Sequence, residues 1–201
     1  RSSRRGVKCD VLTQLIDMGP TLLDYFGLET PPDMLGRSLA PALSAEQLLG
    51  SELSELPLDS VFPEKLSERA AILFGYHGAH VNCTDGRFIY MRAPVHANND
   101  PLYEYTLMPS RMAAMFTPKE LQHMELAEPF SFTKGCKTLK IPTNCDIQSH
   151  AFGTLLFDLE QDPEQLCPLQ DEVVEKRMIT HMLRLMQECD APQQQYEGLG
   201  L

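Results

Sequence analysis

The chain has 201 residues, enough for one substantial core or two small ones, and its 43% hydrophobic and 22% charged content is ordinary for a globular protein. A formal net charge of −11, with lysines and arginines scattered rather than clustered, repels phosphate backbones and argues against nucleic-acid binding. No apolar run approaches the ~20 residues that span a bilayer, so no membrane partner is expected.

In chain order, residues 1–10 are polar and basic and read as a connecting strand or frayed end. Residues 11–16 form a short apolar run of strand type. Asp17 then stands where a helix N-cap should be, its carboxylate placed to accept from the first free amides. Pro20 falls in the first turn, where its missing N–H costs nothing. Leu22, Leu23 and Phe26 make the stripe expected to be buried, and Gly27 ends the helix as a C′ residue. Thr30-Pro31-Pro32 is a rigid break, and residues 33–43 follow as an ordered loop. From residue 44 to 66 the composition turns to Ser, Glu, Leu and Pro, a short helix plus surface linker, and this is the candidate boundary.

Residues 70–75 have strand length and character. Residues 81–91 carry a hairpin signal in which Asp85-Gly86 supplies a type I′ turn. Residues 93–135 mix Pro, Met and Phe without a period and are expected to be irregular with short helices. Residues 154–159 read as a strand and 160–164 as a turn. Over 173–189, Val174, Met178, Met182, Leu185 and Met186 recur on one helix face, with Asp171 near the N-cap and Asp190-Ala191-Pro192 as the stop. The segment is therefore α+β, a small antiparallel sheet with a helix packed on one face.

Six single cysteines, with no C-x-x-C pair and no zinc-finger spacing, are expected to stay reduced. That leans toward a cytoplasmic parent and leaves the compartment open.

Three segments carry a family resemblance. Leu15-Ile16-Asp17-Met18-Gly19-Pro20-Thr21-Leu22-Leu23-Asp24-Tyr25-Phe26-Gly27, followed by Gly36-Arg37-Ser38-Leu39, resembles the aspartate-proline-threonine helix and "G-R-S-L" loop of type I sulfatases. These form the arylsulfatase-like branch of the alkaline phosphatase superfamily. Val81-Asn82-Cys83-Thr84-Asp85-Gly86-Arg87-Phe88-Ile89-Tyr90-Met91 is similar to the hairpin of the same proteins' C-terminal subdomain. Leu155-Leu156-Phe157-Asp158-Leu159-Glu160-Gln161-Asp162-Pro163 is similar to their closing D-L-x-x-D-P signature.

The resemblance implies an α/β parent. Residues 1–66 would be a junction segment from the end of an alkaline-phosphatase-like catalytic domain, and 67–201 its C-terminal subdomain. It further implies that the parent hydrolyses sulfate esters of a small molecule or carbohydrate. Such enzymes use a formylglycine made from a C/S-x-P-x-R motif and a divalent metal, usually calcium, held by paired aspartates. A phosphodiesterase or phosphonate monoester hydrolase of the superfamily would look alike in this region, and a free-standing interaction module is the non-enzymatic alternative.

None of the catalytic parts is encoded in these 201 residues. Cys83-Thr84-Asp85-Gly86-Arg87 is the nearest match to the nucleophile motif, but Asp85 stands where proline is needed. The aspartates near the start are isolated. No catalytic or metal-ligating residue is therefore assigned. Formylglycine and calcium, or another divalent metal, are expected in a missing N-terminal domain on which this segment packs, and the segment alone is expected to be inactive. A helix shaped for such a partner leaves apolar surface exposed without it.

The candidate substrate-binding residues are His77, His80 and Asn82, on a glycine-containing connection between strands. The resemblance implies that such loops reach over the cleft and contact the organic part of the substrate. The plainer alternative is that the histidines cap or fill a turn, and a metal reading would need further ligands. Tyr103-Glu104-Tyr105 and Lys134-Gly135-Cys136-Lys137 either line a cleft or are ordinary surface, and the surface reading is favoured.

Overall fold

The computed structural model describes residues 11–44, 69–111, 113–145 and 147–201. It divides into two compact units, Arg1–Ile72 and Leu73–Leu201. The expected frayed end (1–10) lies outside the described residues, as does nearly all of the linker (44–66) with the 66/67 boundary.

The first unit holds a 3-10 turn, Leu15–Asp17, helix α1, Met18–Tyr25, and a short helix α2, Ala40–Ser44. Pro20 is buried in the first turn of α1. The helix ends as a paired C-terminal motif: Leu28 N–H donates to the Leu23 carbonyl at 2.9 Å and Gly27 N–H to the Asp24 carbonyl at 3.0 Å. Two expectations need correction. Residues 11–16 form no strand, because the chain coils into the 3-10 turn. Asp17 does not cap α1, since its backbone is already helical (φ −73°, ψ −17°) and its carboxylate points to other partners. The apolar stripe is open: Leu22 is 52% and Phe26 70% exposed, and Leu23 is half-buried.

The second unit contains two sheets. Strands β1 (Ile72–Gly75), β2 (Val81–Thr84), β3 (Phe88–Arg92) and β7 (Leu155–Asp158) form one, in the order β1-β2-β3-β7. Strands β4 (Leu102–Thr106), β5 (Glu125–Ala127) and β6 (Thr138–Thr143) form the other, in the order β4-β6-β5. The pairs β2/β3, β3/β7, β4/β6 and β5/β6 are all antiparallel. A short helix, α3 (Pro118–Leu121), precedes β5, and α4 (Glu172–Glu188) and α5 (Gln193–Leu199) close the chain. The fold is α+β. Strands β4 and β5 lie in the 93–135 stretch expected to be irregular, and β6 and α5 in stretches where no element was expected; the strands alternate too weakly to be seen without their partners.

Helix α4 starts where expected, with the Asp171 carboxylate accepting from the amides of Val173 and Val174. It packs against β2. Met178 and Met182 are fully buried and Met186 nearly so, in a core shared with Cys83 and Tyr90. The hairpin is present, but its turn is displaced by one residue. Register pairing runs to Thr84↔Ile89, and Asp85 N–H donates to the Phe88 carbonyl at 3.4 Å, so Gly86 and Arg87 are the central pair. Only Gly86 has positive φ (+96°), which is the type II′ pattern rather than I′.

Asp85 is freed by that shift to bind. Its carboxylate accepts from the amides of Arg87 and Phe88 and pairs with Arg177 of α4 at 2.9 Å. Arg87 in turn pairs with Asp158 of β7 at 2.8 Å, and Asp158 also accepts from Glu160 N–H. The hairpin turn, the last strand and the last helix are thus tied at one corner. Removing the Met182 side chain (Met182→Ala) is expected to cost about 2–5 kcal/mol. In urea this appears as a lower midpoint with an unchanged m-value, while the exposed Val173→Ala should shift it little.

Candidate functional site

The residues that carry the sequence resemblance in the first unit bond to one another. Asp17 is completely buried. One of its carboxylate oxygens accepts from Arg37 N–H at 2.9 Å, the other from Gln14 N–H at 2.7 Å. Arg69 grips both through its two terminal nitrogens, at 2.6 and 2.8 Å, in a bidentate end-on pair. Thr21 Oγ1 accepts from Leu39 N–H at 2.9 Å, and Asp24 accepts from the Ser38 hydroxyl at 2.8 Å. Gly36 passes so close that a Cβ there would stand 2.1 Å from the Ile16 carbonyl oxygen. The helix therefore presents Asp17, Thr21 and Asp24, spaced three and four residues apart on one side, to the loop Gly36-Arg37-Ser38-Leu39.

Burial alone would raise the Asp17 pKa, but the Arg69 and backbone hydrogen bonds and the Arg69 charge outweigh it and hold the carboxyl below its usual value.

The described residues of the second unit line a cleft of about 820 Å³. The β1–β2 connection supplies Tyr76 and His77, and β4 supplies Tyr103, Glu104 and Tyr105. Thr143, Asn144 and Cys145 come from the end of β6 and the residues after it, and Pro192 and Gln195 from the start of α5. Arg111 and Glu120 close the list of walls. Arg111 donates to Glu104 at 2.8 and 3.2 Å and to Glu120 at 2.7 Å. Its Cζ lies 4.2 Å from the Phe116 ring centroid. Glu120 is held down to about 2, first by the Thr117 hydroxyl and amide and then by Arg111. Arg111, with help from Thr143, keeps Glu104 below its usual value, and the two glutamates raise Arg111.

Of the three candidate substrate-binding residues, only His77 lines this cleft. Its Nε2 sits 3.1 Å from the Tyr103 carbonyl oxygen. His80 is half-buried with Nε2 2.8 Å from the Gly153 carbonyl oxygen, bonding the connection to the segment before β7. Asn82 is buried in β2, and its Oδ1 has no hydrogen-bond partner among the described residues. The Tyr103-Glu104-Tyr105 run, read from sequence as surface, does line the cleft. Its alternation on β4 was the available signal, hidden because β6 could not be placed beside it. Lys134-Gly135-Cys136-Lys137 does not line it.

Cys83 is fully buried, burial pushes its thiol up to about 12, and the Cys83–Arg87 segment forms a strand end and the hairpin turn. Among the described residues, no three His, Cys, Asp or Glu side chains are grouped to hold a metal ion. No described helix is long and apolar enough to cross a membrane.

No protein-family model matches the chain, and no curated protein does. Among solved structures, a 4S-sulfatase of Bacteroides thetaiotaomicron, from a locus for metabolism of multiple glycosaminoglycans, superposes with a TM-score of 0.47 at 17% identity. The match covers 96% of this chain and 30% of that one.

Asp17→Asn, which leaves Arg69 buried without its partner, should destabilise the first unit by about 3–5 kcal/mol at pH 7. Because the folded pKa of Asp17 is depressed, its stabilisation is present above the unfolded value of about 3.9 and is lost as pH falls through the lower, folded value. Acid titration of stability should therefore be steeper in the wild type than in Asp17→Asn. Equal slopes would show that Asp17 is not the linked group.

Proposed function

We propose that the chain is the C-terminal part of a type I sulfatase that hydrolyses sulfate esters of a small molecule or carbohydrate. One observation carries this reading. The residues of the Asp-x-x-Pro-Thr helix and of the G-R-S-L loop are those that bond to each other, through Asp17, Thr21 and Asp24. The motif is thus a docking constraint, needing those residue types at that spacing. The corner formed by Asp85, Arg87 and Asp158 gives the other two family segments the same mutual dependence.

Among the described residues none are grouped to hold a metal, and Cys83 is fully buried in a hairpin strand, so no hydrolytic step is assigned to them. In this reading calcium or another divalent ion and the formylglycine belong to a catalytic domain against which the open face of Leu22 and Phe26 packs. This segment completes the fold and shapes the substrate cleft. His77 is the residue best placed to contact the organic part of the ester, and His80, bonded at Gly153, holds its connection in place.

The natural coding sequence upstream of Arg1 is the direct test. A C/S-x-P-x-R motif and paired aspartates should be found there, and the complete protein should release sulfate from 4-nitrocatechol sulfate faster than phosphate from its phosphate analogue. The 201 residues alone should release neither. A start codon at this point, with no catalytic motif before it, would sink the proposal in favour of an interaction module. In the complete protein, His77→Ala should lower kcat/KM several-fold for some sulfate esters and not for others. An unchanged value across the series would remove His77 from the substrate site.

A further inference from the structure

The cleft of the second unit has an internal economy of charge that points to its ligand. Each arginine and glutamate on its wall is already engaged, and His77 Nε2 lies 3.1 Å from the Tyr103 carbonyl oxygen. Both Arg111 edges are taken by Glu104 and Glu120. Glu104 accepts a further bond from Thr143 at 3.0 Å, and Glu120 accepts from the Thr117 hydroxyl and amide. Lys140, beside the cleft, lies with Nζ 4.1 Å from the Tyr103 ring centroid, so one face of that ring is already occupied by a cation. An anionic ligand finds no free guanidinium or ammonium here, and a quaternary ammonium finds neither an unpaired carboxylate nor an open aromatic box.

The hydrogen-bonding capacity that remains is uncharged. The side-chain amides of Asn144 and Gln195 and the hydroxyls of Tyr76 and Tyr103 line the cleft without a side-chain hydrogen bond among the described residues. Tyr76 is 68% exposed, an aromatic ring held out at the cleft wall with nothing packed over it. Amides that both donate and accept, hydroxyls and a bare ring face together match a ligand with hydroxyls around its rim and C–H bonds on its faces. The volume, about 820 Å³, is in the range of small-molecule sites.

We propose that this cleft binds an uncharged saccharide, its ring stacked on Tyr76 and its hydroxyls bonded to Asn144 and Gln195. Arg111, Glu104 and Glu120, paired with one another, form a wall that offers no free charge to the ligand. The site needs no hydrolytic chemistry, and the inference does not rest on the sulfatase reading.

Saturation-transfer NMR on the full chain tests it, with lactose, cellobiose, mannobiose and N,N′-diacetylchitobiose as probes. Lactose sulfate and tetramethylammonium serve as the charged controls. At least one neutral disaccharide should bind with a Kd of about millimolar order. That Kd should change less than about twofold between about 0.02 M and 0.5 M salt, because no ion pair forms or breaks. Tyr76→Ala and Asn144→Ala, both at exposed positions, should weaken binding about five- to tenfold while leaving the thermal midpoint unchanged. The proposal is overturned if none of the four binds at about 10 mM, if a charged control binds more tightly, or if both variants bind as the wild type does. Because binding is read without hydrolysis, failure here is separate from failure to find sulfatase activity in the complete protein.

Discussion

A fully buried carboxylate organises the first unit. Asp17 has lost all contact with water, a loss that is costly for a charge unless the lone pairs are filled and the charge is met. Both conditions are satisfied by groups far apart in sequence: the Gln14 and Arg37 amides and the Arg69 guanidinium. The carboxylate therefore fixes three pieces of chain at once, the 3-10 turn, the G-R-S-L loop and the segment leading to β1. Arg69 contributes more than a charge, since only a planar fork can hold both oxygens while two amides approach them. The side chain that looks like a helix cap in the sequence has been recruited for long-range assembly instead.

The same logic recurs in the second unit with different elements. Asp85 satisfies the amides of its own turn, as Asp commonly does, and then reaches Arg177 on the last helix. Asp158 meets Arg87 from the opposite strand and accepts the amide that starts the following turn. These groups are not all equal. Asp158 is nearly buried while Arg87 is almost half exposed, so solvent screens part of the attraction and the geometric role exceeds the Coulombic one. The methionine face of α4 buried against β2 contributes apolar stabilisation here, and the polar corner ties turn, strand and helix together.

How much of this was legible in the sequence follows from the range of each signal. Helix α4 was readable because its methionines repeat at helical spacing and its N-cap and proline stop are local. The β2–β3 hairpin was readable for the same reason, yet its turn was placed one residue early, since Asp85-Gly86 and Gly86-Arg87 differ only in which amides the Asp85 carboxylate captures. The β4-β6-β5 sheet was not readable. Its paired strands β4 and β6 are separated by residues 107–137 and carry Pro142, Lys140 and Glu104 among their apolar positions, so no stretch alternates cleanly until the partner strand is present. The cleft depends on that sheet, which is why Tyr103-Glu104-Tyr105 looked like surface while His77 drew attention merely for being histidine.

A glycine-containing connection with two histidines invites a metal or an acid–base role, but the backbone carbonyls beside them give each ring a local use. His80 bonds at Gly153 and His77 at Tyr103, so each histidine ties the β1–β2 connection to another part of the second unit. Asn99 adds a third tie, donating to the Gly78 carbonyl at 2.8 Å. A connection restrained at three points presents Tyr76 in a fixed direction, which is what a stacking platform requires, since a ring free to rotate would lose much of its binding energy to ordering. The histidines therefore also help to hold the connection still.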